Sequence, residues 1–159
     1  MEKGKLENSI SNLSSYSVIV FAIALFVAVL LDVFFEHRFF SEFFSKYFGL
    51  FVLLLGTFVI YWAQNLGRKF TINRKRGDIN STEQLERGPY KYSRNPKYVG
   101  LALLVLGLGF IVNSIFIVSS AFVSVFVINF FMIQKEEAFM SHRHGNIYGE
   151  YKKKVRRWL

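Results

Sequence analysis

Tyr98 to Ile133 reads YVGLALLVLGLGFIVNSIFIVSSAFVSVFVINFFMI, 36 residues without one charged side chain. A helix needs about 20 residues to cross a hydrocarbon core ~30 Å thick, so this run is too long for one crossing and suits two. The polar pair Asn113-Ser114, near its middle, is where a tight hairpin belongs. Asn95-Pro96 reads as an N-cap followed by proline at the first helical position, which starts the first half near Pro96 and brings Lys97 to the interface. Working outward, Tyr47–Ala63 carries no charge and Ser17–Phe35 carries only Asp32. The expected architecture is all-α: a membrane bundle with spans near 17–35, 47–63, 96–112 and 115–134, forming one domain over 16–159 behind a polar segment, 1–15.

Composition agrees. The 159 residues are 52% hydrophobic, include 19 phenylalanines and are only 19% charged, which excludes a disordered chain. There is no cysteine, which removes disulfides, thiolate metal sites and a thiol nucleophile; no metal is expected. The net charge of +9 is concentrated in two blocks. Over 64–97, nine Lys and Arg outweigh Asp78, Glu83 and Glu86; over 135–159, seven outweigh Glu136, Glu137 and Glu150. Nucleic acid is therefore not the expected partner, because the excess flanks apolar runs as the positive-inside rule requires. Four spans put both blocks and both termini in the cytoplasm. Residues 1–15 include Glu2 and Glu7 and no small-residue cleavage site follows, so the first run reads as a span and not a leader.

In the tail, Tyr148, Tyr151, Val155 and Trp158 recur at spacings of three and four, with Lys152, Lys153, Lys154, Arg156 and Arg157 between them. That period predicts a helix lying along an anionic membrane surface on its aromatic face.

Two polar stretches are more specific than a membrane anchor needs. Leu85–Gly100 holds both prolines of the chain, two glycines and three tyrosines immediately before a helix. Gly88-Pro89 signals a turn, and the start at Asn95-Pro96 offers the positive end of a helix dipole to a carboxylate or phosphate. The second stretch is Glu136-Glu137, at the end of the fourth span. Acidic groups at a helix C-terminus oppose the dipole, so they need a partner: a basic residue of the 64–97 segment, or a ligand with hydroxyl or ammonium donors.

Gly-Pro-Tyr, Arg-X-Pro-X-Tyr-X-Gly, Glu-Glu and Gly-X-X-Tyr-X-X-Tyr-X-X-X-Val, in this order, resemble the isoprenylcysteine carboxyl methyltransferase and phospholipid methyltransferase superfamily of membrane enzymes, over roughly Leu66 to Trp158. The resemblance implies S-adenosylmethionine as cofactor. It implies binding through Thr82, Glu83, Gln84 and Leu85, through Tyr90, through Asn95, Pro96, Lys97 and Tyr98, and through Glu137. It also implies a lipid-like or prenylated acceptor, with Glu136 and Tyr98 as candidate catalytic groups. Gly107-Leu108-Gly109 is similar to a glycine motif of the phospholipid branch. The family's usual histidine is Asn95 here, and the arginine often found before the acidic pair is absent at Met132 and Gln134. The Gly-Pro-Tyr start and the tail resemble the carboxyl methyltransferase branch more closely, so ester formation is the expected reaction and N-methylation of a phospholipid the alternative. A sterol-reductase-like NADPH enzyme and a nonenzymatic four-helix protein are the remaining readings. Asp32 lies too near the end of its run to suit a proton-coupled transporter.

The charge map predicts that a cysteine introduced at Asn113 is labelled by a membrane-impermeant thiol reagent from outside intact cells. Labelling only after permeabilisation contradicts the four-span topology.

Overall fold

The computed structural model describes residues 2–35, 41–75 and 81–159. The neutral connection from residue 36 and the centre of the basic connection, 76–80, lie outside the described residues. The elements are α1 (Glu2–Phe34), α2 (Glu42–Lys75), α3 (Thr82–Leu85), a 3-10 turn (Gly88–Lys91), α4 (Pro96–Val112), α5 (Ile115–Ile128), a π-helical turn (Asn129–Ile133) and α6 (Gln134–Lys154). Among the described residues there is no strand, and the protein is a helical membrane bundle.

Three helical segments are long and apolar enough to cross a membrane: Tyr16–Phe34, Glu42–Leu66 and the one that opens Ile115–Lys154, a stretch bent sharply at Gly145 (φ 50°, ψ −125°). The fourth apolar helix, Pro96–Val112, has 17 residues. At 1.5 Å per residue it rises about 25 Å, slightly less than the hydrocarbon thickness. Asn113, left-handed at φ 60°, ends α4, and Ser114 caps α5 by accepting from the Ile117 N–H at 3.3 Å. The side chains of Asn113 and Ser114 are both buried, and asparagine is among the few non-glycine residues that visit this conformation readily.

Contacts along the helices set α1 antiparallel to α5 and α2 antiparallel to α4, while α1 and α4 run in the same direction. Ser17, at the start of the apolar part of α1, hydrogen-bonds Tyr98 at the start of α4. At the opposite end the Phe35 ring lies 6.2 Å from Phe116, and the Ser45 hydroxyl donates to the Phe110 carbonyl. The polar segments 81–95 and 134–159 therefore sit at the end where Ser17 and Tyr98 meet. That end carries the candidate site.

In lipid there is no hydrophobic drive between helices, so small residues and close packing do the work. Gly49 and Gly56 on α2 meet Gly107 and Gly100 on α4 in antiparallel register. A Cβ on Gly49 would lie 2.6 Å from the Ile111 nitrogen, and one on Gly56 2.8 Å from the Leu104 nitrogen. A Cβ on Gly107 would fall 2.6 Å from the Leu53 nitrogen, and Gly100 faces Ile60. Gly109 approaches Val118 of α5 in the same way. Gly107 and Gly109, matched in sequence to a branch motif, are thus packing positions, Gly107 about 13 Å along α4 from Tyr98. Phe21 and Ala28 of α1 close the other seam against Ile117, Ala121 and Ile128 of α5. Ser120 and Ser124 satisfy their hydroxyls on the Ile117 and Ser120 carbonyls, both at 2.7 Å, so burying them leaves no hydroxyl unpaired. Phe26, Phe51, Phe58, Phe122 and Phe126 point outward, as lipid-facing residues do.

Three expectations change. First, α2 runs past its apolar stretch to Lys75, so the basic segment begins as helix. Second, the last span does not stop at residue 134: through the π-turn it continues past the acidic pair to a break at Gly145 (φ 50°, ψ −125°), beyond which a second helical segment runs to Lys154 and folds back toward Glu137. Glu136 and Glu137 are therefore inside a helix, and the dipole penalty expected at a C-terminus does not arise. Third, the tail helix forms, but its aromatic face is turned to protein. Tyr148, Tyr151 and Val155 bury against Leu85, and after Lys154 the chain leaves the helix so that Trp158 packs on the bundle core.

Gly107→Val should lower stability by about 1–3 kcal/mol, the usual cost of overpacking a tight contact. Gly149→Ala, where nothing lies within 4 Å, should gain about 0.5–1 kcal/mol from helix propensity. Thermal melts of both variants in one detergent check the pair; a neutral Gly107→Val contradicts the glycine seam.

Candidate functional site

The polar end is built around the Glu137 carboxylate, only 5% exposed. Arg157 grips both of its oxygens, Nε to Oε1 at 3.1 Å and Nη2 to Oε2 at 3.0 Å. Arg94 Nη2 approaches Oε1 at 3.3 Å and Lys152 Nζ approaches Oε2 at 3.6 Å. Burial pushes this carboxyl up, but the Arg157 hydrogen bonds and the Arg94, Arg157 and Lys152 charges outweigh it and hold the group below the usual carboxylate range. The Arg157 guanidinium is correspondingly held above its ordinary range by its hydrogen bonds to Glu137. Of the two partners foreseen for the acidic pair, a basic residue is present at Glu137, and two of the three cations come from the tail.

The tail is stitched to the motif loop through backbone as well. The Arg94 N–H donates to the Arg156 carbonyl at 2.9 Å, and the Ser93 hydroxyl and Asn95 Nδ2 donate to the Arg157 carbonyl at 3.3 and 3.1 Å. Asn95 holds the N-cap position of α4, with Pro96 at the first turn, but its side chain makes no cap. The amide is drawn to Arg157 instead. Farther on, Asn129 Oδ1 in the π-turn accepts from Arg157 Nη1 at 3.3 Å and from Trp158 Nε1 at 3.2 Å. A π-turn, often found at functional sites, here carries the half-buried amide oxygen that receives Arg157 and Trp158.

Glu136, one position earlier, has a different setting. It is half-buried and accepts from the Tyr98 hydroxyl at 2.6 Å, while Ser17 hydrogen-bonds the same phenol. Tyr90 lies nearby, its phenol pushed up by burial and by the Glu136 charge. It stands in the turn that Gly88 opens at φ 56°; a Cβ there would strike Leu66 at 2.1 Å, so the turn packs tightly on α2 at the close of its apolar stretch. Tyr151 donates to the Tyr90 carbonyl at 2.7 Å, fixing the turn onto α6. Tyr148 is surrounded by the charges of Glu137, Arg94, Glu136 and Arg157; burial first, then Glu137, push its phenol up to about 12. At neutral pH these phenols are donors.

Of the residues picked from sequence, Tyr90, Tyr98 and Glu136 come together, and Asn95 and Glu137 join them through Arg94 and Arg157. Thr82, Glu83 and Gln84 form α3 beside α6, held there by the Glu86–Lys154 ion pair at 3.2 Å. The Leu85 side chain is spent in packing against Tyr148 and Tyr151. Pro96 is buried and Lys97 half-buried at the start of α4. Arg94, Arg157, Asn129 and Ser17 were not among the sequence candidates. Arg94 was within reach, since it opens the Arg-X-Pro-X-Tyr motif; nothing in the sequence marks the other three.

Arg94 also has capacity left over. Its side chain is nine-tenths buried, and its Nε and Nη1 meet no hydrogen-bond acceptor among the described residues. Buried donors left unpaired cost about 1–3 kcal/mol each. The polar, charge-bearing cluster thus lies at one end of an otherwise apolar helical bundle. The family model for phospholipid methyltransferase matches residues 44–149, about two thirds of the chain, and the protein belongs to that family. No curated protein and no solved structure gives a match. The protein is thus a membrane methyltransferase, and members of this family generally use S-adenosylmethionine. The open donors of Arg94, the phenols and the Glu136 carboxylate fit a cofactor that carries both a carboxylate and cationic groups.

Removing the Glu137 charge leaves two arginines without their shared counter-ion, so Glu137→Gln should cost about 3–5 kcal/mol. Because its folded pKa is depressed, the stability contributed by Glu137 is present above the ordinary carboxyl value of 4.5 and is lost as pH falls through the lower folded value. Melts from pH 7 to 3 should show wild type losing this advantage over Glu137→Gln at the acid end. A constant gap across that range contradicts the ion cluster.

Proposed function

We propose that this enzyme transfers the methyl group of S-adenosylmethionine to the headgroup amine of a membrane phospholipid, at the cytoplasmic face. The observation that carries the reading is the Tyr98 hydrogen bond to Glu136. S-adenosylmethionine, when bound, supplies a methyl group on a sulfonium and so needs no further activation of its leaving group. An ammonium acceptor, in contrast, must first lose a proton, and the half-buried Glu136 carboxylate is positioned to take it. Tyr98 fixes the carboxylate's orientation, with Ser17 fixing the phenol in turn. Once neutral, the amine lone pair can form the new bond to the methyl carbon as the carbon–sulfur bond breaks. The remaining work of the protein is alignment.

A carboxylate acceptor, as in ester formation, would need no base and would face Glu136 as a like charge. This reverses the preference drawn from the Gly-Pro-Tyr and tail motifs. Ester formation on a prenylated acceptor is the second reading, favoured by that resemblance. A lipid can enter sideways between helices while a water-soluble cofactor arrives from the aqueous side, which accounts for both polar segments lying at one end.

Glu136→Gln should lower kcat by about 10²–10⁴ at saturating cofactor, the usual size of a general-base contribution. Radiolabelled S-adenosylmethionine, native membranes and a prenylcysteine analogue distinguish the reactions. Base-stable label in the lipid fraction supports N-methylation, and base-labile label on the analogue supports ester formation. Label confined to water-soluble products rejects a lipid acceptor.

A further inference from the structure

Two guanidinium nitrogens of Arg94, Nε and Nη1, are used neither by the ion cluster around Glu137 nor by the proton transfer at Glu136. We propose that Arg94 is an oxyanion-binding residue, receiving a phosphate or carboxylate oxygen on Nε and Nη1 while Nη2 stays on Glu137. This rests on the methyltransferase reading and names how the site would hold its charged ligand.

The donors come first. The guanidinium is nine-tenths buried and rigidly placed, because the Arg94 backbone N–H is tied to Arg156 and its Nη2 to Glu137. Two of its nitrogens are shielded from water and meet no acceptor among the described residues. A buried arginine with open N–H groups matches an oxyanion better than any neutral ligand does.

The charge balance points the same way. Arg94, Arg157 and Lys152 converge on the single charge of Glu137, and adding Glu136 still leaves one positive charge over. The Tyr148 hydroxyl, protonated at neutral pH, lies among these groups and adds a donor. Helix α4 begins two residues after Arg94, and its N-cap side chain is diverted to Arg157, so the positive end of its dipole adds to the same field. Side-chain exposure of Lys152 and Arg157, 39% and 32%, opens the cluster to solvent on the tail side. A zwitterionic headgroup finds a complement for each charge here, the phosphate at Arg94 and the ammonium at Glu136.

The oxyanion has two sources, the carboxylate of the cofactor or the phosphate of the lipid. The test uses the full chain in nanodiscs and two probe pairs: S-adenosylhomocysteine with its decarboxylated analogue, and a fluorescent phosphatidylethanolamine with the matching diacylglycerol. One pair should show at least about a ten-fold preference in Kd for the oxyanion-bearing member, equal to 1.4 kcal/mol. Arg94→Lys should erase that preference and leave the weaker member's affinity unchanged. Preference within the cofactor pair assigns the carboxylate, and preference within the lipid pair the phosphate. If Arg94→Lys does not fold, Arg94→Gln, which leaves Arg157 and Lys152 on Glu137, carries the same comparison. No preference in wild type, or a preference that survives in the variant, overturns the proposal. If wild type binds neither S-adenosylhomocysteine nor its analogue, the cofactor reading fails separately, and the lipid pair alone decides the role of Arg94.

Discussion

The Glu137 carboxylate is the constraint on which the polar end depends. It lies 5% exposed in the helix that continues the last span, and a charge so buried requires counter-charges at close range. Arg157 and Lys152 come from the tail and Arg94 from the motif loop, so one side chain gathers three segments far apart in the chain. The bonds from 93–95 to the Arg156 and Arg157 carbonyls, one from backbone and two from side chains, accompany that gathering and hold the tail against the motif loop.

Positioning these segments against Tyr98 is the work of the glycine seam. Gly49 and Gly56 bring α2 against Gly107 and Gly100, which sets the height and rotation of α4. The start of α4 then presents Tyr98 to Glu136 across the bundle, and α1 adds Ser17 to the same phenol. Two adjacent acids acquire different characters as a result. Glu137 is gripped by cations from the tail and the motif loop, whereas Glu136 accepts a hydrogen bond from a phenol.

The apolar runs made the helices legible, and Asn113-Ser114 marked the turn because only a short polar pair can close two apolar helices. The motif order also carried the family, and Tyr90, Tyr98 and Glu136 do meet at one place. What stayed hidden has physical causes. Charge counting cannot tell a helix that continues past a membrane from one that ends there, so the setting of Glu136 and Glu137 was misread. A helical period shows that Tyr148, Tyr151 and Val155 share a face, but not whether lipid or Leu85 covers it. The glycines of 107–109 carry no label separating packing from ligand contact until the facing α2 backbone is seen. The roles of Arg157, Asn129 and Ser17 depend on tertiary approach alone.

Ultraviolet cross-linking of S-adenosylmethionine to the purified protein, with the labelled peptides mapped by mass spectrometry, tests most directly whether this polar end is the cofactor site. Label should fall within 82–98 and 134–148, and decrease in competition with S-adenosylhomocysteine. Label centred instead on Gly107–Asn113, at the opposite end of α4, would contradict that placement.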